Sequence, residues 1–446
     1  MKVHSNNYLY NIILRYVFWG YQLAFRKISI KGQENIPSDG AVIFAPNHTN
    51  AFMDAFTVLR LVKKPVVFVA RADVFRNPIA AKIFHFFKIM PIMRMRDGRE
   101  NLKKNDKIMQ DAVQVLRDGV PFGIFCEGTH RMQHSILPLV KGIFRIALQA
   151  DEALNGEMPV YIVPVGIEYG NYTRYRSTIS VQVGEAFNVS KFNTQNKDKT
   201  QPELMNLMRE ELSQRISSLY HCVPDNEDYE ALLDLCYIRN LSNRKQGVES
   251  NSQSQKQQLS RKTQSTSSPY DIMQSNRRTL ADLLQLKDEN TTKYQQLITK
   301  AKEFATLRRE LNISDETLYT NPSFKKNLLR IIALIITFPY FFFSAIIDLP
   351  VSLFTWLLFY FVIEDGAMKN SLRMTIVMLL YPFIITILAI CLFMHLPIYW
   401  ALIILLLALP ANIVVHEYAK IFRFIRSDWK YLKSSKLQQL KDNLEI

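Results

Sequence analysis

The stretch AVIFAPNHTNAFMDAF, residues 41–56, decides how the first half of this chain folds. Its first six residues form an unbroken apolar run, as a strand buried on both faces requires. The polar cluster Asn47–Asn50 ends that run, and AFMDAF then takes up helical spacing. Strand, short loop and helix make the first part of a βαβ unit. His48 lies in the loop and Asp54 follows six positions later. On one regular helix, six residues turn through about 240° from their starting direction, so the two side chains meet only if His48 sits in the loop and Asp54 reaches back from the helix. A carboxylate that accepts from one ring N–H fixes the imidazole tautomer and leaves the other nitrogen as a base. A loop histidine satisfied by backbone, beside an acid favoured by the helix dipole, fits the same residues.

A second element, FCEGTHRMQHSILPLVKG (125–142), also follows a buried-looking strand. Glu127-Gly128-Thr129 gives a tight turn with a polar acceptor and backbone N–H groups, suited to substrate or to a developing oxyanion. Arg131 and Lys141 follow within reach of a phosphate, and Arg71 closes another strand. Arg94, Arg96 and Arg99 read either as further phosphate ligands or as a solvated basic loop. His130 and His134 stand four apart, but no third ligand lies nearby in sequence, so no metal is expected. The chain lacks G-x-S-x-G, Walker A, G-x-G-x-x-G and H-E-x-x-H patterns. Without a covalent nucleophile, the pair's chemistry is direct deprotonation of a hydroxyl.

Outward from these motifs the pattern alternates. Candidate strands are 41–46, 66–71, 121–128, 160–169 and 179–187, with helical stretches near 54–62, 78–88, 100–117 and 141–154. That alternation predicts an α/β fold with a mostly parallel sheet flanked by helices. Ligands gather at the carboxyl ends of such strands, where His48, Arg71 and Glu127 all fall. Residues 8–26 are aromatic-rich and helical, and fit either a membrane-interface helix or an amphipathic helix docked on the core. The opening MKVHSNN is too polar to begin a secretory signal.

Beyond the α/β region the composition shifts. Residues 203–240 are amphipathic, 242–268 are Ser/Gln/Asn/Lys-rich and read as a linker or exposed loop, and 277–317 read as one long helix or a hairpin. Residues 328–363, 374–394 and 398–415 are apolar enough for a membrane. Asp348 with Pro350 predicts a turn inside the first block, and basic flanks on all three blocks then imply an even number of crossings, with the catalytic region cytosolic. The expected division is therefore 1–27 interfacial helix, 28–220 catalytic domain, 221–276 helical end and linker, 277–320 charged helical segment, 328–416 transmembrane hairpins and 417–446 basic tail.

The net charge of +15 and pI near 9.5 favour an anionic partner. Phosphorylated substrates and lipid headgroups fit; zinc-ligand spacing, RNP-like strands and basic recognition helices are missing, so nucleic acid is not expected. Four scattered cysteines indicate no disulfide framework.

With these residues in hand, NHTNAFMD, the Arg71 region, FCEGTH…LPLVKG and VYIVPVGIEY together resemble, in order, the four blocks of the glycerolipid acyltransferases, across residues 30–220. Five residues separate His48 from Asp54 where most of that family has four, and EGTH stands where EGTR is commoner. Both departures, with SILPLVKG, are similar to the branch holding fungal glycerol-3-phosphate/dihydroxyacetone-phosphate acyltransferases. The resemblance implies His48 as general base, Asp54 as its partner, and Arg71 with the Glu127-Gly128 turn on the glycerol phosphate. It also implies that Pro164 shapes the fourth block, with Arg131 as nearest substitute for the arginine missing at 130. It implies acyl transfer from acyl-CoA or acyl-carrier protein, without a cofactor, to glycerol 3-phosphate or dihydroxyacetone phosphate at a lipid bilayer. Lysophosphatidic acid is the alternative acceptor, and a membrane scaffold the non-enzymatic reading.

Overall fold

The computed structural model describes residues 7–93, 99–249, 268–320 and 322–445. The chain forms two compact units, one running to Tyr220 and including Asp365–Ser371, the other formed by His221–Glu364 and Leu372–Ile446.

The first unit opens with helix α1 (Tyr8–Ala24), capped by the Asn7 side chain on the Leu9 N–H. Strand β1 (Phe25–Lys31) follows directly, so residues 25 and 26, expected in the helix, begin the sheet instead. Then come β2 (Ala41–Pro46), α2 (Ala51–Leu59), β3 (Val67–Arg71), α3 (Pro78–Phe86), β4 (Ile89–Ile92), α4 (Arg99–Arg117), β5 (Phe122–Gly123), α5 (Gly142–Leu154) and β6 (Val160–Tyr169). After these come β7 (Ser177–Val183), β8 (Phe187–Asn188), α6 (Val189–Gln195) and α7 (Gln201–Ser217).

The strands form one sheet in the order β1-β7-β6-β2-β5-β3-β4, with β8 on β6. Strands β2 to β6 pair parallel with one another and β1 pairs parallel with β7, while β7 and β8 pair antiparallel with β6. The fold is thus an α/β sheet, mostly parallel and flanked by helices. All six residues of β2 are buried, which explains its continuous apolar run. The strand expected over 121–128 pairs only at Phe122–Gly123, because the chain leaves the ladder early. The single strand expected at 179–187 is two. Chain direction reverses across β2 and β5: β2 leads to β3 on one side, β5 to β6 on the other. A crevice opens at the strand ends of such a switch point, and the loops after β2 and β5 both stand there.

One face of α1 is buried through Tyr10, Val17, Gly20, Tyr21 and Ala24, and Tyr21 bonds Thr57 at 2.8 Å. The other presents Tyr8, Leu9, Ile12 and Trp19 outward. One helix thus docks on the core by one face and exposes aromatic and aliphatic side chains on the other.

The second unit contains α8 (Tyr229–Glu249), α9 (Pro269–Glu289), α10 (Thr291–Glu310) and α11 (Asp315–Thr320). Residues 277–317 are therefore not one long helix: the chain breaks at Asn290 and again at 311–314. Residues 242–249 continue α8, and 250–267, most of the expected linker, lie outside the described residues. Buried Arg308 joins three of these elements, bonding Asp234 at 2.8 Å and Asp315 at 2.6 Å.

Helices α12 (Phe324–Phe361), α13 (Met368–His395), α14 (Ile398–Ala408) and α15 (Ala411–Lys433), with the closing helix α16 (Ser435–Glu445), complete the chain. Helices α12 and α13 are each long and apolar enough to cross a membrane; α14 and α15 form a pair bent by 42°. The turn expected at Asp348–Pro350 does not occur. Pro339 and Pro350 both lie inside one continuous helix of 38 residues, and the Asp348 carboxylate is held by Ser352 at 2.5 Å and Asn412 at 2.6 Å. An acid so partnered need not leave an apolar helix. The even crossing count built on that turn lapses with it.

Cys391 is exposed on the apolar part of α13, unlike buried Cys126 and Cys236. In intact membrane vesicles Cys391 should resist a water-soluble maleimide and react once the bilayer is dissolved in dodecyl sulfate. Full labelling in intact vesicles would show that α13 does not cross.

Candidate active site

Asn47, the first residue after β2, decides where the loop goes. Its buried side chain accepts from the Ile167 N–H at 2.7 Å and donates to the Ile167 carbonyl at 3.0 Å. This double bond to β6 fastens the loop to the sheet. Four residues later the chain turns through Ala51, whose φ of 41° is unusual for a side chain with Cβ. That turn starts α2 so that Asp54, its fourth residue, points back over the loop.

Asp54 is fully buried. Its Oδ2 accepts from the backbone N–H of Thr49 and of Asn50, each at 2.8 Å, and lies 2.8 Å from Nδ1 of His48. Its Oδ1 accepts from the Tyr169 hydroxyl at 2.6 Å. Four donors on one buried carboxylate satisfy the requirement that a charge out of water be fully hydrogen-bonded. Burial, then the neighbouring Asp54 charge, pushes the Tyr169 hydroxyl well above its ordinary range, so it stays a donor.

With Nδ1 facing Asp54, His48 offers Nε2 to a ligand. Its ring stacks on Phe125, centroids 4.1 Å apart, and the His130 ring stands edge-on at 5.3 Å. Sequence reasoning placed His48 and Asp54 here and missed Asn47, Tyr169 and Phe125. A polar residue directly after a fully apolar central strand was the available signal for Asn47. Tyr169 carried a weaker one, a hydroxyl at the end of the strand neighbouring β2.

The turn at 127–129 joins this loop by a different route from the one expected. The Glu127 carboxylate accepts from the His48 N–H at 2.7 Å and the Leu137 N–H at 2.9 Å. It clasps the two site loops together, and the Arg131 N–H adds a bond to the His48 carbonyl at 3.1 Å. Burial raises the Glu127 carboxyl from 4.5 to about 7, against the pull of its two backbone donors. Gly128 holds φ of 69°, where an added Cβ would stand 3.1 Å from Val140 Cγ1. Its N–H bonds the Phe125 carbonyl at 3.1 Å, so that amide is not the oxyanion donor the turn was expected to supply.

Thr129 and Lys141 are exposed, and Arg131 bonds Ser135 at 2.8 Å. Arg71 is exposed at the end of β3, with its guanidinium on Asp73. Pro164 is buried within β6, the strand of the fourth block, opposite Ala45 in β2. Arg94 and Arg96 lie outside the described residues, as does the side chain of Arg99.

Residues 27–168 match the family model described as Acyltransferase. The chain is 28% identical over 143 residues to the chloroplastic 1-acyl-sn-glycerol-3-phosphate acyltransferase LPAT1 of Arabidopsis thaliana, covering 32% of this chain and 37% of that protein. It is 30% identical over 127 residues to a 1-acyl-sn-glycerol-3-phosphate acyltransferase of Chlamydomonas reinhardtii, covering 28% and 36%. A Borreliella burgdorferi protein of the same name matches at 27% over 132 residues, covering 30% and 50%. The chain thus spans between about a third and a half of the length of these relatives. Among solved structures, the 1-acyl-sn-glycerophosphate acyltransferase PlsC of Thermotoga maritima aligns at 20% identity with a TM-score of 0.35, covering 48% of this chain and 80% of that one. Residues 27–168 are thus the part of this chain that is similar to the Acyltransferase family.

Proposed function

We propose that this protein moves a fatty acyl group from an acyl thioester to the free hydroxyl of a 1-acylglycerol 3-phosphate at a membrane. The observation that carries the reading is His48 held through Nδ1 by buried Asp54, inside the stretch that matches the Acyltransferase family. The names of the matched relatives favour a lysophosphatidic acid acceptor over glycerol 3-phosphate. The five-residue gap between His48 and Asp54, with histidine at 130, favours glycerol 3-phosphate or dihydroxyacetone phosphate as a second reading.

In this mechanism Nε2 of His48 takes the acceptor's hydroxyl proton as the oxygen attacks the thioester carbonyl. The tetrahedral intermediate then collapses, the C–S bond breaks, and the departing thiolate receives the proton from His48. Asp54 keeps the ring in one tautomer and offsets the charge it gains. Neither step calls for a cofactor, and either acyl-CoA or acyl-carrier protein can serve as donor. Long acyl chains and a lipid product explain the apolar helices α12 and α13, since each CH₂ kept from water contributes roughly 0.8 kcal/mol. Lys369 lies in the segment Asp365–Ser371 that clusters with the catalytic unit, and positive charge beside a span supports a cytosolic placement of that unit.

His48→Ala and Asp54→Asn should each lower kcat for acyl transfer at least about 100-fold. The wild type should prefer 1-acylglycerol 3-phosphate to glycerol 3-phosphate in a radiolabelled acyl-transfer assay. Near-wild-type rates in both variants would sink the dyad, and preference for glycerol 3-phosphate would transfer support to the second reading.

Glu127 gives a separate test. Its folded pKa of about 7 lies above its ordinary 4.5, so its stabilising contribution is complete below pH 4.5 and is lost as pH rises through about 7. Melting curves in detergent should show the wild type falling relative to Glu127→Gln between pH 5 and 8, by on the order of 3 kcal/mol at full extent. Parallel curves for the two proteins would refute the assignment.

A further inference from the structure

His130 carries a second carboxylate–imidazole pair, made with a residue 235 positions away. Its Nε2 lies 2.5 Å from Oδ2 of Asp365. Asp365 belongs to the turn between the apolar helices α12 and α13, and Asp365–Ser371 clusters with the catalytic unit. The pair therefore lies within that unit.

Three observations show that this turn is built into its place. The other Asp365 oxygen accepts from the Ala367 N–H at 2.9 Å, just ahead of α13. Ala367, Asn370 and Ser371 are buried. Gly366 passes so close to the 129–132 segment that an added Cβ would stand 2.5 Å from Met132 Cε. His130 in turn places its ring edge-on to His48 at 5.3 Å, so Asp365 controls the orientation of a ring bordering the proposed base.

We propose that Asp365 is a positioning residue for the acceptor: it holds His130 as a hydrogen-bonding wall of the subsite for the phosphorylated head, beside His48. The inference rests on the acyl-transfer reading above. With Nε2–H donated to Asp365, the ring presents Nδ1 as an acceptor, suited to a glycerol hydroxyl of the phosphorylated head and not to a phosphate oxygen. An arginine at 130 would bring its own planar set of donors and need no carboxylate to choose its tautomer. Histidine does need one. The turn between the two apolar helices thereby completes the acceptor subsite.

The test uses full-length protein in nanodiscs. Asp365→Ala should raise KM for the phosphorylated acceptor about 10-fold while kcat stays within about twofold, and Asp365→Glu should recover most of the loss. His130→Ala should raise KM similarly, and adding Asp365→Ala to it should change little. In a His130→Arg background, Asp365→Ala should be nearly silent. Independently of turnover, Asp365→Ala should speed diethylpyrocarbonate labelling of His130, read by mass spectrometry, at least about fivefold. Unchanged acceptor KM in Asp365→Ala, or additive effects of the two alanine substitutions, would overturn the positioning role. Unchanged labelling would overturn the pairing itself. A wild type that turns over no acceptor would instead defeat the acyl-transfer reading, leaving the labelling result to decide the pairing.

Discussion

The buried carboxylate of Asp54 is the constraint on which the site depends. A charge removed from water persists only when its lone pairs are filled by donors held in place. Here the donors come from the backbone of residues 49 and 50, the His48 ring and the Tyr169 hydroxyl. Each requirement propagates outward. The two amides need the left-handed step at Ala51, the hydroxyl needs β6 beside β2, and β6 is kept in register with the loop through Asn47 and Ile167. The parallel sheet is therefore the frame that brings four donors to one acid, and the base's orientation follows.

The features legible in the chain were those carried by local pattern. AVIFAP and VYIVPVGIEY are buried along their length, and their apolar runs coincide with the strands. The helix after AVIFAP announces itself by spacing and by the break at the polar loop 47–50. β1 was not legible because FRKISIK alternates weakly and is only partly buried at the sheet's edge. β4 contains Pro91, which reads against a strand; the edge position makes it tolerable. The brevity of β5 reflects Glu127: its carboxylate binds two backbone amides from separate loops, and the chain leaves the ladder to deliver it. Asp348 misled in the opposite sense. An acid beside a proline normally marks a turn, yet Ser352 and Asn412 satisfy it within a continuous helix. Partners 64 or 235 residues away, as for Asp348–Asn412 and His130–Asp365, leave no local trace.

The second unit uses polar groups sparingly but in the same way. Arg308 is buried because Asp234 and Asp315 meet it, and Arg330 stands on Asp428 at 2.5 Å where α12 and α15 pack. Between such points α12 presents a long apolar face, from Leu328 through Ile335, Phe342 and Leu353 to Phe361. An apolar surface of that extent is stable against hydrocarbon, not against water. The polar pairs fix helix partners, while the outward residues stay apolar, as a helix able to cross a membrane requires.

The two walls of the catalytic loop differ in how freely they can change. On the sheet side, His48 is bound through Asp54, Tyr169 and Asn47, all buried; altering any of them disturbs the base itself. On the other side, Glu127 alone among the 127–132 residues is buried, while Gly128, Thr129 and Met132 are exposed and His130 is half-buried. Substitutions from 128 onward can reshape the acceptor's surroundings without touching the tautomer of His48. Replacing a charged guanidinium by an imidazole at 130 is a change of this kind. It leaves His48 and its partners in place, and on the proposed reading Asp365 orients the ring at 130. On the proposed reading, the histidine at 130 thus falls on the wall where the acceptor's surroundings can change without altering the partners of His48.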